Sequence, residues 1–581
     1  MIQHLNNNYL KSKGITSKAM CYFIQRWVEL TDSRTMFSYQ YTYHNLLSAL
    51  EECIEILEKT LNKTYDNNGH LKSSINEIRR FLKNDILLCK NKNILTENYM
   101  SITNKSIKED HEKRYLKARI EIFYDILKKK YHKWLKDMLI KSIEENDFEN
   151  IEKCIIILVS YCIHKEWSLK GLHDLHKIFF EENNNNIENF IEKLYKFEDY
   201  YTVFIPLEKN WNNQDIEKIK KLFEFEIGQG KELINRESCF SNNLKGKLNE
   251  KIYYCQTKLK ARDSYSAALK AIEKHKKSIE LLFFYEKIET GKFIQNSYNV
   301  YEHSNNTLSP LKLNDIYRTF MKINDSNSIY EYTCNIFENN NLKLQKQLKN
   351  ALTYANISKT SPYQEEKFLN LWIALESFMN TKQYGNIIEH VKNVLPSVMS
   401  RRYFYRIIRN LYEDLKRVPI SFSDLDDTIN ENIPKAEIVE KIINLIKDKE
   451  KFQKLVKKVH NYTLMENRLN QVRKIVTDTN EMNSKIKNYI DTIEWHVQRM
   501  YRLRNDITHD SMVSENDLTP FIEHLHDFLA TTITEIVILA HENNQYDLNH
   551  IFATITTNIS IFSDKKNKEI FPFDGIIECL K

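Results

Sequence analysis

The sequence predicts a mainly α-helical protein with one small α+β module near its middle. Three observations predict this. Gly and Pro are scarce, at 9 and 8 in 581 residues, which disfavours sandwiches, barrels and glycine-rich phosphate loops because all of them need many tight turns. Lys, Glu, Leu, Ile and Asn dominate instead, a composition typical of helical proteins. Long stretches set apolar residues at helical spacing, and only residues 198–303 break into short aromatic and β-branched runs. The chain is too long for one hydrophobic core, so several domains are expected, and 42% apolar residues suffice to build them.

Charge and cysteine usage narrow the class. A net charge of +6, from 85 basic and 79 acidic residues, permits nucleic-acid binding without arguing for it. Nine cysteines run from Cys21 to Cys579 with no C-x-x-C pair, so neither a zinc ribbon nor a disulfide framework is indicated. Cys154 and Cys162 lie in apolar runs and read as small core residues. The start has no charged-then-apolar signal pattern, and the longest nearly apolar run, Cys154 to Cys162, is far too short to span a bilayer. A reduced, cytoplasmic chain without a membrane partner is expected.

Residues 1–197 read as a helical N-terminal region; Ile120 to Ile140, for example, puts its apolar residues on one helix face. Asn183–Asn186 is a polar connector within it. In the α+β module, 198–303, strands are predicted at Tyr200–Leu207, Leu222–Ile227, Ile252–Thr257 and Ile294–Val300, with a helix at Ser264–Tyr285. Polar residues from His303 to Thr307 open a linker and helix, 304–350. A helical domain, 351–557, and a tail, 558–581, complete the chain. The domain's first strong helix has Ser361 as N-cap, Pro362 in the first helical position and Gln364 closing a capping box. Phe368, Leu371, Trp372, Leu375, Phe378 and Met379 then line one face.

The chemistry concentrates on a helix predicted from Ser484 to Thr508. Its apolar seam runs Ile486, Ile490, Ile493, Val497, Met500, in steps of four and three, and the same rhythm lands next on Arg504. A guanidinium on a buried stripe needs an acidic partner, an interface or an anionic ligand. Asn505 and His509 are four apart and share a face beside it. The helix is expected to end there, before the polar stretch Asp510–Asn516, and Thr519 and Pro520 cap the next one, which runs to about His541. A fixed cation, an amide and an imidazole at one helix end suit phosphate chemistry: Arg stabilises charge on phosphate oxygens, and His moves a proton near neutral pH. RNA brings its own nucleophile, the 2′-hydroxyl beside the scissile phosphate.

Tyr501-Arg502-Leu503-Arg504-Asn505-Asp506-Ile507-Thr508-His509 resembles the signature of HEPN domains, and most of all the Apea-like branch found in anti-phage proteins. Arg504, Asn505 and His509 match its Arg, polar residue and His, and Phe368 to Glu376 resembles the first helix of the same branch. A weaker likeness, in Tyr200–Leu207 and Ala261–Asp263, extends to the upstream regions of such proteins. The resemblance covers roughly the last 230 residues. It implies a HEPN-type helical bundle, a homodimer facing two motifs together, and metal-independent cutting of single-stranded, loop or tRNA substrates. It also implies an abortive-infection role answering a phage-derived trigger. Arg504, Asn505 and His509 are then the expected catalytic residues.

Other readings stand beside these. Arg504 can instead form a structural salt bridge, with Glu376 as its partner inside the bundle. Glu376 either orients Arg504 or sits on the surface, and Arg502, eighth from His509 counting both, also satisfies a bare Arg-x4-6-His pattern; both are candidate supporting residues. Arg402, Arg406 and Arg409 recur at helical spacing opposite an apolar seam of Phe404, Ile408, Leu411 and Leu415. They read as an RNA-backbone track or, more readily, as a solvated helix face. His173 with His176, and His524 with His526, lack Cys or carboxylate partners at ligand spacing, so no metal is assigned. Gly228-Gln229-Gly230-Lys231 is not a phosphate-binding loop, and no cofactor is assigned. The competing function is a non-catalytic HEPN-like scaffold that dimerises or holds a nucleotide. The first 300 or so residues are expected to restrain or direct the C-terminal domain.

Overall fold

The computed structural model of the chain describes residues 5–32, 35, 43–65, 69–90, 109–181, 186–195, 198–207, 217, 225–236, 248–249, 251–284, 297–312, 326–338, 342–361, 363–381, 387–418, 420, 422, 425–426, 428–429, 435–509 and 515–563. The N-terminal region folds as α1 (Asn7–Ser12), α2 (Lys18–Thr31), α3 (Leu46–Leu61), α4 (Gly69–Asn84), α5 (Ile86–Lys90), α6 (Asp110–Glu144), α7 (Phe148–His164), α8 (Leu169–Asp174), a 3-10 turn and α9 (Ile187–Tyr195). The mixed region follows as β1 (Asp199–Leu207), β2 (Glu226–Gln229), α10 (Gly230–Arg236), β3 (Tyr253–Ala261), α11 (Ser264–Phe284), β4 (Ser297–Glu302) and β5 (Thr307–Lys312). The remainder is helical: α12 (Ser326–Glu338), α13 (Leu342–Thr360), α14 (Gln364–Met379), α15 (Ile387–Arg401), α16 (Tyr403–Arg417), α17 (Lys435–Lys447), α18 (Lys449–Lys458), α19 (Thr463–Thr477), α20 (Thr479–His509), α21 (Glu515–Glu542) and α22 (Leu548–Ser563). No helix among the described residues is long and apolar enough to cross a membrane.

The chain is thus mainly helical with a small antiparallel sheet, and it forms two compact units that do not follow chain order. One comprises Met1–Arg26, Met36–Ile155 and Phe320–Lys581; the other comprises Trp27–Thr35 and Ile156–Thr319.

The second unit is built on a five-stranded sheet of order β2-β3-β1-β4-β5, antiparallel throughout. The central strand β1 is buried from Tyr201 to Leu207, which fits its run of aromatic and branched residues. Small residues on α11, Ala267, Ala268 and Ala271, are fully buried in the core shared with Val203, Ile205 and Val300, so the helix can approach the sheet closely. Asp263 caps α11 by accepting from the Tyr265 and Ser266 amides, both at 2.9 Å. The same carboxylate accepts from Ser168 N at 2.8 Å and Ser168 Oγ at 2.7 Å, which joins the start of α8 to the start of α11.

The sheet departs from expectation in one place. The stretch His303–Thr307, expected to open a linker, is the turn of a β4–β5 hairpin, with Asn306 at a positive φ of 52°. The added strand β5 carries Pro310, which reads against a strand. It is tolerated because β5 is a sheet edge, where one side of the strand needs no amide donor. The predicted strand at Leu222–Ile227 is represented by β2, and its first residues lie outside the described ones.

In the first unit α20 spans two cores. Met482 and Ile486 pack with Phe404, Leu411, Ile442, Leu469 and Val476. Ile493, Val497 and Met500 pack with Trp372, Phe378, Leu395, Phe521 and Phe528. The predicted seam is therefore real over its whole length, and α14 presents the predicted face of Phe368, Leu371, Trp372, Leu375, Phe378 and Met379.

Three helix starts differ from the predicted ones, and the first is α20, which begins at Thr479 rather than near Ser484. α14 begins at Gln364 with Tyr363 before it, and Ser361 Oγ instead accepts from Tyr363 N at 3.2 Å and donates to Glu366 at 2.6 Å. Pro362 lies outside the described residues. α21 begins at Glu515, so Pro520 sits inside the helix rather than at its cap. At the sixth position it costs only one backbone hydrogen bond near the helix start. Ala351, expected to begin the last domain, lies within α13.

Candidate active site

The last two turns of α20 carry the residues singled out by the sequence. Arg504 is partly buried, and its Nη1 donates to Asn505 Oδ1 at 3.1 Å. The hydroxyl of Thr508 donates back to the carbonyls of Arg504 and Asn505 at 2.9 and 3.0 Å, which tightens the helix end under the pair. His509 is the last residue of α20, one turn beyond Asn505, and its side chain lies outside the described residues.

The proposed salt bridge of Arg504 to Glu376 is not formed: among the described residues Arg504 has no carboxylate within 4 Å. Glu376 is nonetheless electrostatically coupled to it. Burial raises the Glu376 pKa, while the Trp372 indole N–H and the Arg504 guanidinium pull the other way. Asn505 thus orients a guanidinium that no carboxylate among the described residues meets at contact distance.

The neighbouring positive residues have different lives. Arg502 is buried and pairs with Glu52, and Arg499, one turn earlier, donates from Nε and Nη2 to the two Glu52 oxygens at 2.7 and 2.9 Å. Arg499 Nη2 also reaches Glu77 at 2.6 Å, and its guanidinium lies 5.8 Å from the Tyr43 ring. Glu77 on α4 is buried and Glu52 on α3 is mostly buried, with 14% of its side chain exposed. Burial would raise the Glu52 pKa, but Arg499, Arg502 and His44 outweigh it and hold the carboxylate well below its ordinary range. The Glu77 pKa is raised by burial, with the Glu52 carboxylate adding to it, and Arg499 and Arg502 only partly offset the rise. Arg502 is therefore a structural residue of this network, not a second motif arginine facing a ligand.

The arginine row of α16 is likewise committed. Arg402 pairs with the fully buried Glu535, and Arg406 Nη1 reaches Asp527 at 3.2 Å while its Nη2 donates to Thr531. Arg409 also has a partner. For Arg402 and Arg406 neither an RNA-backbone track nor a freely solvated face describes the arrangement, because α21 supplies the acids that a single helix's pattern cannot reveal. The predicted seam opposite, Phe404, Ile408, Leu411 and Leu415, is buried. His524 lies 3.3 Å from His496, ring nitrogen to ring nitrogen, and His173 lies 5.0 Å from His176 ring to ring. No group of three or more potential metal ligands occurs among the described residues.

Arg504 and Asn505 open onto a polar cleft of about 620 Å³. One wall is a single face of α20: Glu494, Trp495, Gln498 and Tyr501 precede Arg504 and Asn505 at helical spacing. The opposite wall is the N-terminal helix α4, through His70, Lys72, Ser73 and Asn76. Ile388, Glu389 and Lys392 of α15 also line it. So do Asp506 and Tyr65, which are joined: the Tyr65 hydroxyl donates to Asp506 at 2.9 Å, and Lys59 pairs with the same carboxylate at 3.0 Å. Sequence reasoning missed the α4 wall. Its one local signal is the spacing of His70, Ser73 and Asn76 down one helix face.

Comparison with protein families, with curated proteins and with solved structures finds no match to this chain.

Proposed function

We propose that the chain is a metal-independent endoribonuclease acting at the end of α20. The observation that carries the reading is the Arg504–Asn505 pair, joined at 3.1 Å on the wall of a polar cleft with no carboxylate on the guanidinium among the described residues. Such a cation suits the charge that develops on a phosphorane. His509, one turn on, supplies the proton transfer. In the reaction the RNA 2′-oxygen loses its proton to the base and bonds to phosphorus. The bond to the 5′-oxygen breaks and that oxygen takes up a proton, returned by the protonated base or drawn from water, leaving a 2′,3′-cyclic phosphate and a 5′-hydroxyl. The reaction then needs alignment, a cation and a base, all of which side chains provide.

The family resemblance adds a homodimer through the C-terminal helices, a defence setting and a phage-derived trigger, and these rest on it alone. Light scattering on the purified chain tests the dimer, expected at about twice 69.7 kDa. Expression in a bacterial host tests the function: wild type arrests growth and leaves new RNA ends, and His509→Ala does neither. Equal toxicity of the two chains, without new ends, would overturn the reading. The competing scaffold reading draws support from the cleft volume, which lies in the range of small-ligand sites. It predicts nucleotide binding with no RNA cleavage.

A further inference from the structure

We propose that His70, on the N-terminal helix α4, is a substrate-binding residue of the cleft, donating from Nε2 to an oxygen of the RNA backbone. The inference rests on the ribonuclease reading and adds to it a residue more than four hundred positions upstream of the motif.

The first support is the tautomer. Gln498 Nε2, which can only donate, lies 2.8 Å from His70 Nδ1. Nδ1 is therefore the acceptor, and in the neutral ring the proton sits on Nε2. Nδ1 is the only His70 nitrogen with a hydrogen-bond partner among the described residues. Burial holds the imidazole down to a pKa of about 4, with Arg502 and Lys392 acting in the same direction. The ring is thus a neutral donor at physiological pH, a hydrogen-bonding group rather than a base.

The second support is placement. His70 stacks on Tyr501 with ring centres 5.8 Å apart, and Tyr501 is one turn before Arg504 and Asn505. Tyr65 lies 5.0 Å from the same ring, tilted against it, and is itself fastened to Asp506. Two aromatic rings and Gln498 therefore fix the imidazole in the same cleft that holds Arg504. His70 is 5% exposed, and an imidazole packed against Tyr65, Tyr501 and Gln498 while lining the cleft can offer its Nε2 donor to an acceptor there. A polyanionic strand lying in the cleft brings such oxygens past it, with Arg504 taking the scissile phosphate.

The experiment compares His70→Phe, which keeps the flat ring and loses both nitrogens, with His70→Gln, whose amide can place a donor where Nε2 stood. The full-length chain is titrated with a fluorescein-labelled, fully 2′-fluoro random-sequence 20-mer, which cannot be cleaved. Cleavage of the corresponding RNA is followed separately. His70→Phe is expected to weaken binding and raise KM about tenfold, the scale of one lost hydrogen bond to a charged group, with kcat changed little. His70→Gln restores most of the loss. The pH–rate profile stays that of wild type, since His70 is not the base.

Binding by His70→Phe equal to wild type would overturn the inference whatever happens to cleavage. Normal binding by the wild-type chain without cleavage would overturn the ribonuclease reading and leave the His70 result standing. Failure of the wild type to bind or cleave would overturn both. Should His70→Phe fail to fold, Lys72→Glu, on the exposed part of the same wall, takes its place. It is expected to weaken binding by at least tenfold, and an unchanged affinity would count against the α4 wall as a substrate surface.

Discussion

Arg499 grips Glu52 through two parallel hydrogen bonds, at 2.7 and 2.9 Å, across 447 positions of sequence. The pair ties the helix that carries the candidate active site to α3, and Glu77 extends the tie to α4. The N-terminal helices are therefore part of the structural support of the motif, and one wall of its cleft.

Truncating one side of this network leaves buried charge unpaired. Arg499→Ala is expected to destabilise the protein by about 3–5 kcal/mol, the usual cost of breaking a buried ion pair from one side. Glu52→Gln should cost more than Glu77→Gln, because Glu52 is held strongly ionised and Glu77 is not. Glu52 contributes its stability above the ordinary carboxylate pKa of 4.5 and loses it as pH falls through its depressed folded value. Urea denaturation at pH 7 and in acid checks both the ranking and the sign. Equal effects of the two glutamine variants would contradict the assignment.

The same relationship bears on truncation. Residues 351–581 alone contain Arg499 and Arg502 but neither Glu52 nor Glu77. Two guanidinium groups built for burial would lose their carboxylates, so the fragment is expected to be aggregated or loosely packed. Adding the N-terminal helices back in the full chain restores a cooperative transition. A fragment that melts cooperatively near the temperature of the full chain would show that the tie is dispensable.

Much of the helical design was legible locally. The seam from Ile486 to Met500 is a periodic pattern within one helix, and burial follows it. The strands β1 and β3 announced themselves by branched and aromatic residues, whereas β5 did not, because Pro310 and the polar turn before it mask an edge strand. The Arg504–Asn505 pair was legible for the same local reason. The α4 wall and the Glu52–Arg499 tie were not: an acidic residue on an amphipathic helix looks solvated until a partner hundreds of residues away is placed on it. The α16 arginines failed in the same way, since Glu535 and Asp527 lie on another helix.

His275 offers a test of pH dependence in the second unit. It is buried on α11 with neither ring nitrogen hydrogen-bonded among the described residues, and burial lowers its pKa from 6.5 to about 4. As pH falls from 6.5 toward 4, the unfolded chain takes up this proton before the folded one, so stability declines across that window. His275→Phe should leave stability at pH 7 unchanged or improved and flatten the decline; other buried histidines keep it from vanishing. Melting temperatures at pH 7 and pH 5 measure the slope. An identical slope in wild type and variant would contradict the burial of a neutral imidazole.

Arg504, Asn505 and His509 are proposed to cut RNA through its own 2′-hydroxyl. The most direct measurement incubates the purified full-length chain with RNA in excess EDTA and identifies the new 3′ ends by mass spectrometry. The expected ends are 2′,3′-cyclic phosphate or its opened monophosphate, with rates lowered about 100-fold or more in Arg504→Ala and His509→Ala, the order of magnitude of losing charge stabilisation or proton transfer. Cleavage that stops in EDTA and returns with magnesium, leaving 3′-hydroxyl ends, would contradict it.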